Sequence, residues 1–339
     1  MKRSVMVEPG KIIFEEIPLP QPGSDQVRLK MKRIGVCGSD IHVFHGKHPY
    51  TSYPVVQGHE AAGVIDEVGK NVTDLQEGEI ATVTPQVVCG TCYPCRTGDY
   101  HICDHLKVMG FQTEGLAQEY FVVDADKVVV IPEGISLDET TMIEPIAVAV
   151  HAVQKAGDIT GKGVLVLGAG TIGNLVAQTA LALGADQVLI TDISSYKLEK
   201  ARSCGLQETC HVREESLQDR ILETFGPDKM DVTMECVGVQ DTISQAVEQA
   251  RKGSSIIVVG VFGDNPEVNL GFVQDRELSL IGTLMYQRTD YESAVQLVKA
   301  GKIQLEPMIT HRFPFQDYLK AYHTIVDSQG RYMKVMIDL

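Results

Sequence analysis

The chain has 339 residues, with 45 Asp plus Glu against 30 Lys plus Arg and a formal net charge of −15 at pH 7. At roughly 100–200 residues per domain this length argues for two domains rather than a single binding module, and 44% hydrophobic with 22% charged residues is an ordinary globular mix. So acidic a chain repels nucleic-acid phosphates and anionic lipid, no apolar run reaches the roughly 18–20 residues that span a bilayer, and Met1–Gly10 lacks the apolar core of a secretory signal, so a cytoplasmic protein that binds neither nucleic acid nor membrane is expected.

From Val5 to Ile131 the apolar residues fall in short β-rich runs punctuated by Gly, Pro and Asp: Val27–Met31, Gly63–Val68, Ile80–Thr84 and Glu119–Val123. Their alternation and spacing predict an antiparallel β domain, with Pro18, Pro20 and Pro22 in an extended connector. Two groups of metal-ligand residues lie in this part. Cys37, in Val36-Cys37-Gly38-Ser39-Asp40-Ile41-His42, and the adjacent His59-Glu60 after Gly58 offer a thiolate, an imidazole and a carboxylate. These are the donor types of a catalytic zinc that keeps one position open. Alone, a Cys or a His is more often a packed residue, and only their company is informative. Downstream, Cys89, Cys92, Cys95 and Cys103 place four of the eight cysteines within fifteen residues. That is enough to close a tetrahedral zinc shell with thiolates alone, a structural site with no position for chemistry. A redox pair is the competing reading; a nucleic-acid-binding finger is disfavoured because only Arg96 lies in the loop.

The pattern changes near Glu144-Pro145, where Ile146 to Ala156 reads as a helix. Strands and helices then alternate. Strands are predicted at Val164–Leu167, Gln187–Asp192, Met230–Cys236, Ser255–Val261 and Leu278–Leu284. Helices are predicted at Ile172–Leu183, Tyr196–Ser203 and Asp241–Ala250, followed by late helices at Tyr291–Lys299 and Phe315–Val326 and a last strand at Lys334–Ile337. This alternation predicts a doubly wound parallel sheet. Gly168-Ala169-Gly170-Thr171-Ile172-Gly173 directly follows the first of its strands and opens the helix. Gly168 permits the tight turn, Gly170 the approach of a pyrophosphate, and Gly173 close helix–strand packing, while the helix N-terminus offers N–H groups to phosphate. Asp192 ends the next strand, nineteen residues after Gly173. A carboxylate there accepts ribose hydroxyls and repels a 2′-phosphate, which predicts NAD rather than NADP.

With these motifs assembled, the sequence resembles the zinc-dependent medium-chain alcohol dehydrogenase/reductase family, in its polyol (sorbitol, or L-iditol 2-) dehydrogenase-like branch. The resemblance rests on Gly58-His59-Glu60 with Gly63, Gly69 and Val72, on Cys37-Gly38-Ser39-Asp40, the four-cysteine loop, Glu144-Pro145-Ile146-Ala147 and the dinucleotide fingerprint, in the family's order along the whole chain. It implies an α/β protein made of a GroES-like β-rich catalytic domain, residues 1–146 with a tail 290–339, and a Rossmann coenzyme domain, residues 147–289, with the active site in the cleft. Carried over, Cys37, His59 and Glu60 are implied as catalytic-zinc ligands. Glu144 stands where classical alcohol dehydrogenases have a second cysteine; direct ligation, a water bridge and exchange with Glu60 stay open.

Ser39 matches the hydroxyl that touches the substrate oxygen and His42 the outer end of a proton relay. Lys197 matches a contact to the adenosine ribose, and Val259-Gly260-Val261 with Thr283 match strand ends beside the nicotinamide. The implied enzyme carries NAD and two Zn²⁺ per chain, interconverts a secondary alcohol and a ketone, and assembles as a homodimer or homotetramer. The rival classes are a threonine-type dehydrogenase, whose extra His is missing from Thr84-Pro85-Gln86-Val87-Val88, a sugar-acid or polyol-phosphate dehydrogenase, and a non-catalytic NAD-binding sensor. Two departures bear on substrate: Val43 replaces a Tyr and Met285 an Arg of the animal sorbitol enzymes, while Tyr286 is kept. His45, Lys47, His48 and Arg288 are basic residues that could face a carboxylate or phosphate, or simply solvent.

Overall fold

The computed structural model describes residues 1–339, which divide into two compact units: Met1–Glu144 with Ile309–Leu339, and Pro145–Met308. In the first unit the long strand Gln26–Val36 is central. One edge pairs antiparallel with Glu60–Val68; the other serves Tyr120–Asp124 along its first half and Lys334–Asp338 along its second. Its buried apolar side chains are Val27, Leu29 and Met31, then Ile34 and Val36. This switch from odd to even positions follows a register shift between Met31 and Arg33, because one extra residue in a strand inverts which side chains face the core. The shift brings Gly35 opposite Glu60 and delivers Cys37 at the strand's end.

The antiparallel expectation holds for this unit with one exception. Ile309–Pro314 pairs parallel to Lys334–Asp338, and the helix Tyr318–Asp327 provides the crossover that parallel neighbours need. Residues 17–23, with their three prolines, form no regular element.

The second unit holds a six-stranded, wholly parallel sheet in the order Thr209–His211, Gln187–Asp192, Gly163–Leu167, Val232–Glu235, Ser255–Val258, Ser279–Gly282. The chain builds outward from Gly163–Leu167 to one edge, then returns to build the other. Ligands of such sheets bind where the order reverses, outside the carboxyl ends of the strands. Eight residues of the helix Thr171–Ala182 are buried, from Gly173 to Ala180, which matches its near-continuous apolar sequence.

Two boundaries differ most from the sequence reading. The helix expected from Ile146 begins at Leu137 and carries Pro145 inside it. Its start is a capping box: Ser136 Oγ accepts from Glu139 N (3.2 Å) while the Glu139 carboxylate accepts from Ser136 N (2.8 Å). The C-terminal segment joins the first unit at Ile309 rather than at residue 290. The helix Arg288–Lys299 stays with the second unit because Tyr291, Ala294, Val295 and Val298 are buried, and because buried Asp290 meets His151 Nδ1 at 2.8 Å.

Candidate zinc centres and dinucleotide cradle

The cysteine loop folds into a thiol cluster. Cys92 is the N-cap of a short helix, Tyr93–Thr97, with Pro94 in its first turn; Gly98, at φ 93°, ends it and turns the chain back toward Cys103. The four sulfurs of Cys89, Cys92, Cys95 and Cys103 lie within 4.8 Å of one another, with Cys92–Cys103 at 3.7 Å and Cys89–Cys103 at 3.5 Å. A zinc ion at about 2.3 Å from each of four sulfurs requires sulfur–sulfur edges of about 3.8 Å, so the cluster is a near-tetrahedron of the right size. Backbone N–H groups of Thr91 and Cys92 point at Cys89 Sγ, and those of Cys89 and His105 at Cys103 Sγ. Donation from Thr91 and Cys92 brings the Cys89 thiol down to about 5. Burial and the neighbouring sulfurs push Cys95 up to about 12. Four thiolates this close need a cation among them, and zinc fits.

The second cluster is assembled from two strand ends. Cys37 follows Gln26–Val36 and is the N-cap of the helix Gly38–Phe44; Glu60 opens Glu60–Val68 after Gly58, which turns at φ 94°. Donor atoms of Cys37, His59 and Glu60 converge within 4.8 Å. A Cβ on Gly35 would stand 2.3 Å from Glu60 Oε2, so only glycine leaves the carboxylate its place. Buried Lys334 holds that carboxylate from the other side, its Nζ 2.7 Å from Oε1 and also in contact with Oε2. Burial favours a neutral lysine, but Glu60 and Cys37 outweigh it and raise the pKa, so Lys334 keeps its charge. Asp40, equally buried, accepts from Cys37 N (2.9 Å), and its Oδ1 stands 3.7 Å from His59 Nδ1, a buried atom with no hydrogen-bond partner. Burial draws His59 toward neutrality, yet Asp40, Cys37 and Glu144 prevail and hold it well above the ordinary histidine value. Such a pocket attracts a cation, and its thiolate–imidazole–carboxylate donors fit a catalytic zinc.

Glu144 does not join this cluster; it is buried, and its charge acts on His59 and Lys334. Ser39 and His42 sit three residues apart on the helix that starts after Cys37, Ser39 half-buried and His42 exposed. The His48 ring stacks on Phe111 at 4.7 Å, and Phe111 lies 4.9 Å from the His59 ring. Burial, with His42 and His59 nearby, lowers the His48 pKa, so His48 is not the cation the sequence allowed for; Lys47 and His45 are exposed. Val43 faces the core, and Tyr286 is fully buried against Tyr291, with ring centroids 5.2 Å apart.

In the second unit, Gly168, Asp192, Val259-Gly260-Val261 and Thr283 all lie at the carboxyl ends of the parallel strands. Gly168 turns at φ 101°, and a Cβ on Gly173 would lie 1.8 Å from Gly168 O, whereas one on Gly170 would meet nothing within 4 Å. The first and third glycines are thus demanded by the fold, and the second leaves open space where a pyrophosphate would approach. No side chain caps the helix Thr171–Ala182 at Gly170, as suits an anion-binding N-terminus that includes Thr171 and Ile172. Asp192 accepts from Ala169 N (2.8 Å) and Ser194 N (2.9 Å), which ties the glycine turn to the strand end. Lys197 lies in the first turn of the helix Ser195–Ser203.

Several residues escaped the sequence reading. Asp40 lies in the Cys37-Gly38-Ser39-Asp40 motif, where nothing local points to its contact with His59. Lys334 and Gly35 gave no local signal. Fully buried Glu235 was unmarked; its Oε1 accepts from Val237 N, Gly238 N and Thr242 Oγ1 and shapes the loop beside Gly260.

Comparison with known proteins agrees with these centres. The alcohol dehydrogenase GroES-like domain family matches residues 23–133, and the zinc-binding dehydrogenase family matches residues 171–300. A sorbitol dehydrogenase of Halalkalibacterium halodurans is 33% identical over 97% of this chain and 96% of its own length. The L-galactonate-5-dehydrogenase of Escherichia coli is 30% identical over 97% and 96%. The crystal structure of galactitol-1-phosphate dehydrogenase from Escherichia coli superposes with a TM-score of 0.93 at 33% identity, covering 100% of both chains. By fold, metal-ligand clusters and sequence, the chain belongs to the zinc-dependent medium-chain alcohol dehydrogenase family, in its polyol dehydrogenase branch.

Proposed function

We propose that this enzyme interconverts a secondary alcohol of a vicinal diol, polyol or sugar acid and the corresponding ketone, with NAD as hydride carrier. The observation that carries the reading is the convergence of Cys37, His59 and Glu60 within 4.8 Å in a buried, cation-attracting pocket. Zinc bound there would polarise an alcohol or carbonyl oxygen, and a bound nicotinamide would take or give the hydride. Cys37 and His59 are the fixed ligands. Glu60, paired with Lys334, is a ligand that can be engaged or released, and Glu144, outside the three-donor group, acts on His59 through its charge, with a water bridge or exchange with Glu60 as its routes to the metal. Ser39 takes the hydroxyl proton, and His42, exposed three residues on, passes it to solvent. Gly168, Gly170 and Gly173 cradle the pyrophosphate and Asp192 the adenosine ribose, with Lys197 beside it; Val259-Gly260-Val261 and Thr283 flank the nicotinamide. The four-cysteine zinc is structural. The enzyme acts in the cytoplasm as a homodimer or homotetramer.

A sugar-acid or polyol-phosphate substrate is the second reading, favoured by exposed Lys47 and by the names of two of the relatives above. An NAD⁺-reduction screen over hexitols, pentitols, 2,3-butanediol, aldonates, polyol phosphates and L-threonine tests both. Turnover of secondary diols or polyols is expected; activity confined to primary alcohols rejects the proposal. A preference for aldonates or polyol phosphates that is lost in Lys47→Ala or Arg288→Ala selects the second reading.

A further inference from the structure

Gln57, directly before Gly58-His59, is buried with only 2% of its surface exposed. It stands next to Val55 and Val56 in a segment that otherwise faces the apolar core, where an amide is costly unless both its ends are bonded. Here both are. Nε2 donates to Asp40 Oδ1 and to Asp40 O, each at 3.3 Å, and Oε1 accepts from Tyr322 OH at 3.0 Å. The amide orientation follows from its neighbours, since a carboxylate only accepts and the phenol is free to donate. The Tyr322 hydroxyl in turn meets Tyr318 OH at 3.4 Å. Burial raises the pKa of both tyrosines, so both stay protonated.

A wholly buried polar chain therefore runs from the helix Tyr318–Asp327 through Tyr322, Gln57 and Asp40 to the edge of His59. The Asp40 carboxylate is held from two sides, by Cys37 N on Oδ2 and by Gln57 on Oδ1, and this fixes Oδ1 opposite His59 Nδ1.

We propose that Gln57 and Tyr322 are positioning residues for the metal centre: by orienting Asp40 against His59 they set how tightly Cys37, His59 and Glu60 retain their metal. The proposal rests on the reading of that cluster as the catalytic zinc site. Groups that orient a ligating histidine typically change metal affinity 10–100-fold when removed. Gln57 acts one step further out, and an effect at the lower end of that range follows.

The test is made on the zinc-loaded enzyme as purified. Zinc release to a chelator is followed for the wild type, Gln57→Leu, Tyr322→Phe and the double variant, with the melting temperature measured alongside. Two zincs per chain are expected in the wild type. In Gln57→Leu one of them should leave about tenfold faster, with the second, thiolate-bound zinc unmoved; Tyr322→Phe should show a smaller change of the same kind. Because the two side chains act in series, Tyr322→Phe should add nothing once Gln57 is Leu. Cobalt exchanged for the faster zinc should show a shifted visible spectrum in both variants. Tyr322→Phe keeps the ring against Phe44 and Tyr318, so it reports even if Gln57→Leu folds poorly. Unchanged release from the faster site overturns the inference, as does equal acceleration of both zincs with a lowered melting temperature. A wild type that holds only one zinc overturns the functional reading as well; two zincs with unmoved rates overturn this inference alone.

Discussion

Asp192 has a place in the fold that bears on its proposed part in cofactor selection. Its two oxygens already accept the Ala169 and Ser194 N–H groups, so the carboxylate cannot swing away from an incoming 2′-phosphate. Ile193, Ser194, Ser195 and Tyr196 supply no cation, and Lys197 is the first basic residue on the helix that follows. Like-charge juxtaposition costs several kcal/mol, so kcat/KM for NAD⁺ should exceed that for NADP⁺ by about 100-fold or more. Steady-state kinetics with both cofactors check this, and equal use of the two rejects it. Asp192→Ala should narrow the ratio while also weakening NAD⁺ binding, because the glycine turn loses its tether. The two metal clusters separate at the same scale. His59→Ala should abolish turnover, lose one zinc and keep the fold, since the remaining sulfur tetrahedron is untouched. Cys92→Ser breaks that tetrahedron and should lower the melting temperature by several degrees while the Cys37 centre keeps its metal. Metal analysis with thermal denaturation distinguishes the outcomes; full activity in His59→Ala removes the catalytic assignment.

At the scale of elements, one carboxylate joins three segments that are far apart in sequence. Asp138, in the first turn of the helix Leu137–Gln154, pairs with Arg33 of the central strand and with Arg312 of Ile309–Pro314, whose Nη1 is 2.7 Å away; Arg33 Nε reaches Asp338 at 2.7 Å. Partial burial raises the Asp138 pKa, but Arg312 and Arg33 outweigh it and set it below the ordinary 3.8. A carboxylate with a depressed folded-state pKa stabilises the protein above its unfolded value, and that stability disappears as pH falls through the folded one. Asp138→Asn should therefore cost about 1–2 kcal/mol at pH 7. The gap to wild type should begin to narrow as pH falls below the unfolded value of about 3.9 and close only below the lower folded one, where wild-type Asp138 is protonated as well. Urea unfolding from pH 7 down to pH 2 measures it; a gap that does not narrow below about pH 4 refutes the linkage.

None of these partners is near another in sequence, which is why the clamp was not legible there, whereas Gln187–Asp192 was read to the residue from its apolar run and bounding turn. The helix start at Leu137 was hidden because Pro145 reads as a boundary, although the Ser136–Glu139 box was present upstream. The same logic divides the site. Cys37, His59, Glu60 and the glycine turn are local motifs. Lys334 meets Glu60 across 274 residues, and Gly35 is needed only because a register shift sets it opposite that carboxylate. Pairing register and long-range ion pairs are properties of the folded chain.

For the whole molecule, the parallel sheet bears directly on assembly. Its last strand, Ser279–Gly282, is bonded only to Ser255–Val258, so its outer row of N–H and C=O groups faces outward. Ser279, Leu280 and Gly282 are exposed on it, and Leu284 (53%) follows shortly after in the chain. The opposite edge is different: Thr209–His211 is three residues long, mostly buried, and covered where Arg220 reaches Thr209 O. Open edges invite pairing with another strand, and proteins usually blunt them with lysine, proline or a bulge. Ser279–Gly282 carries neither lysine nor proline, and its pairing register is unbroken. A second copy of the same strand, antiparallel about a two-fold axis, would complete both edges at once and bury the leucines, the self-complementary contact that closed dimers use. Light scattering should then give a particle of two or four times the 37.1 kDa chain mass. Leu280→Lys, which sets two like charges face to face across such an axis, should shift it toward the monomer without altering either zinc. A particle of one chain mass in the unmodified protein rejects the assembly, and an oligomer indifferent to Leu280→Lys places the interface on another face.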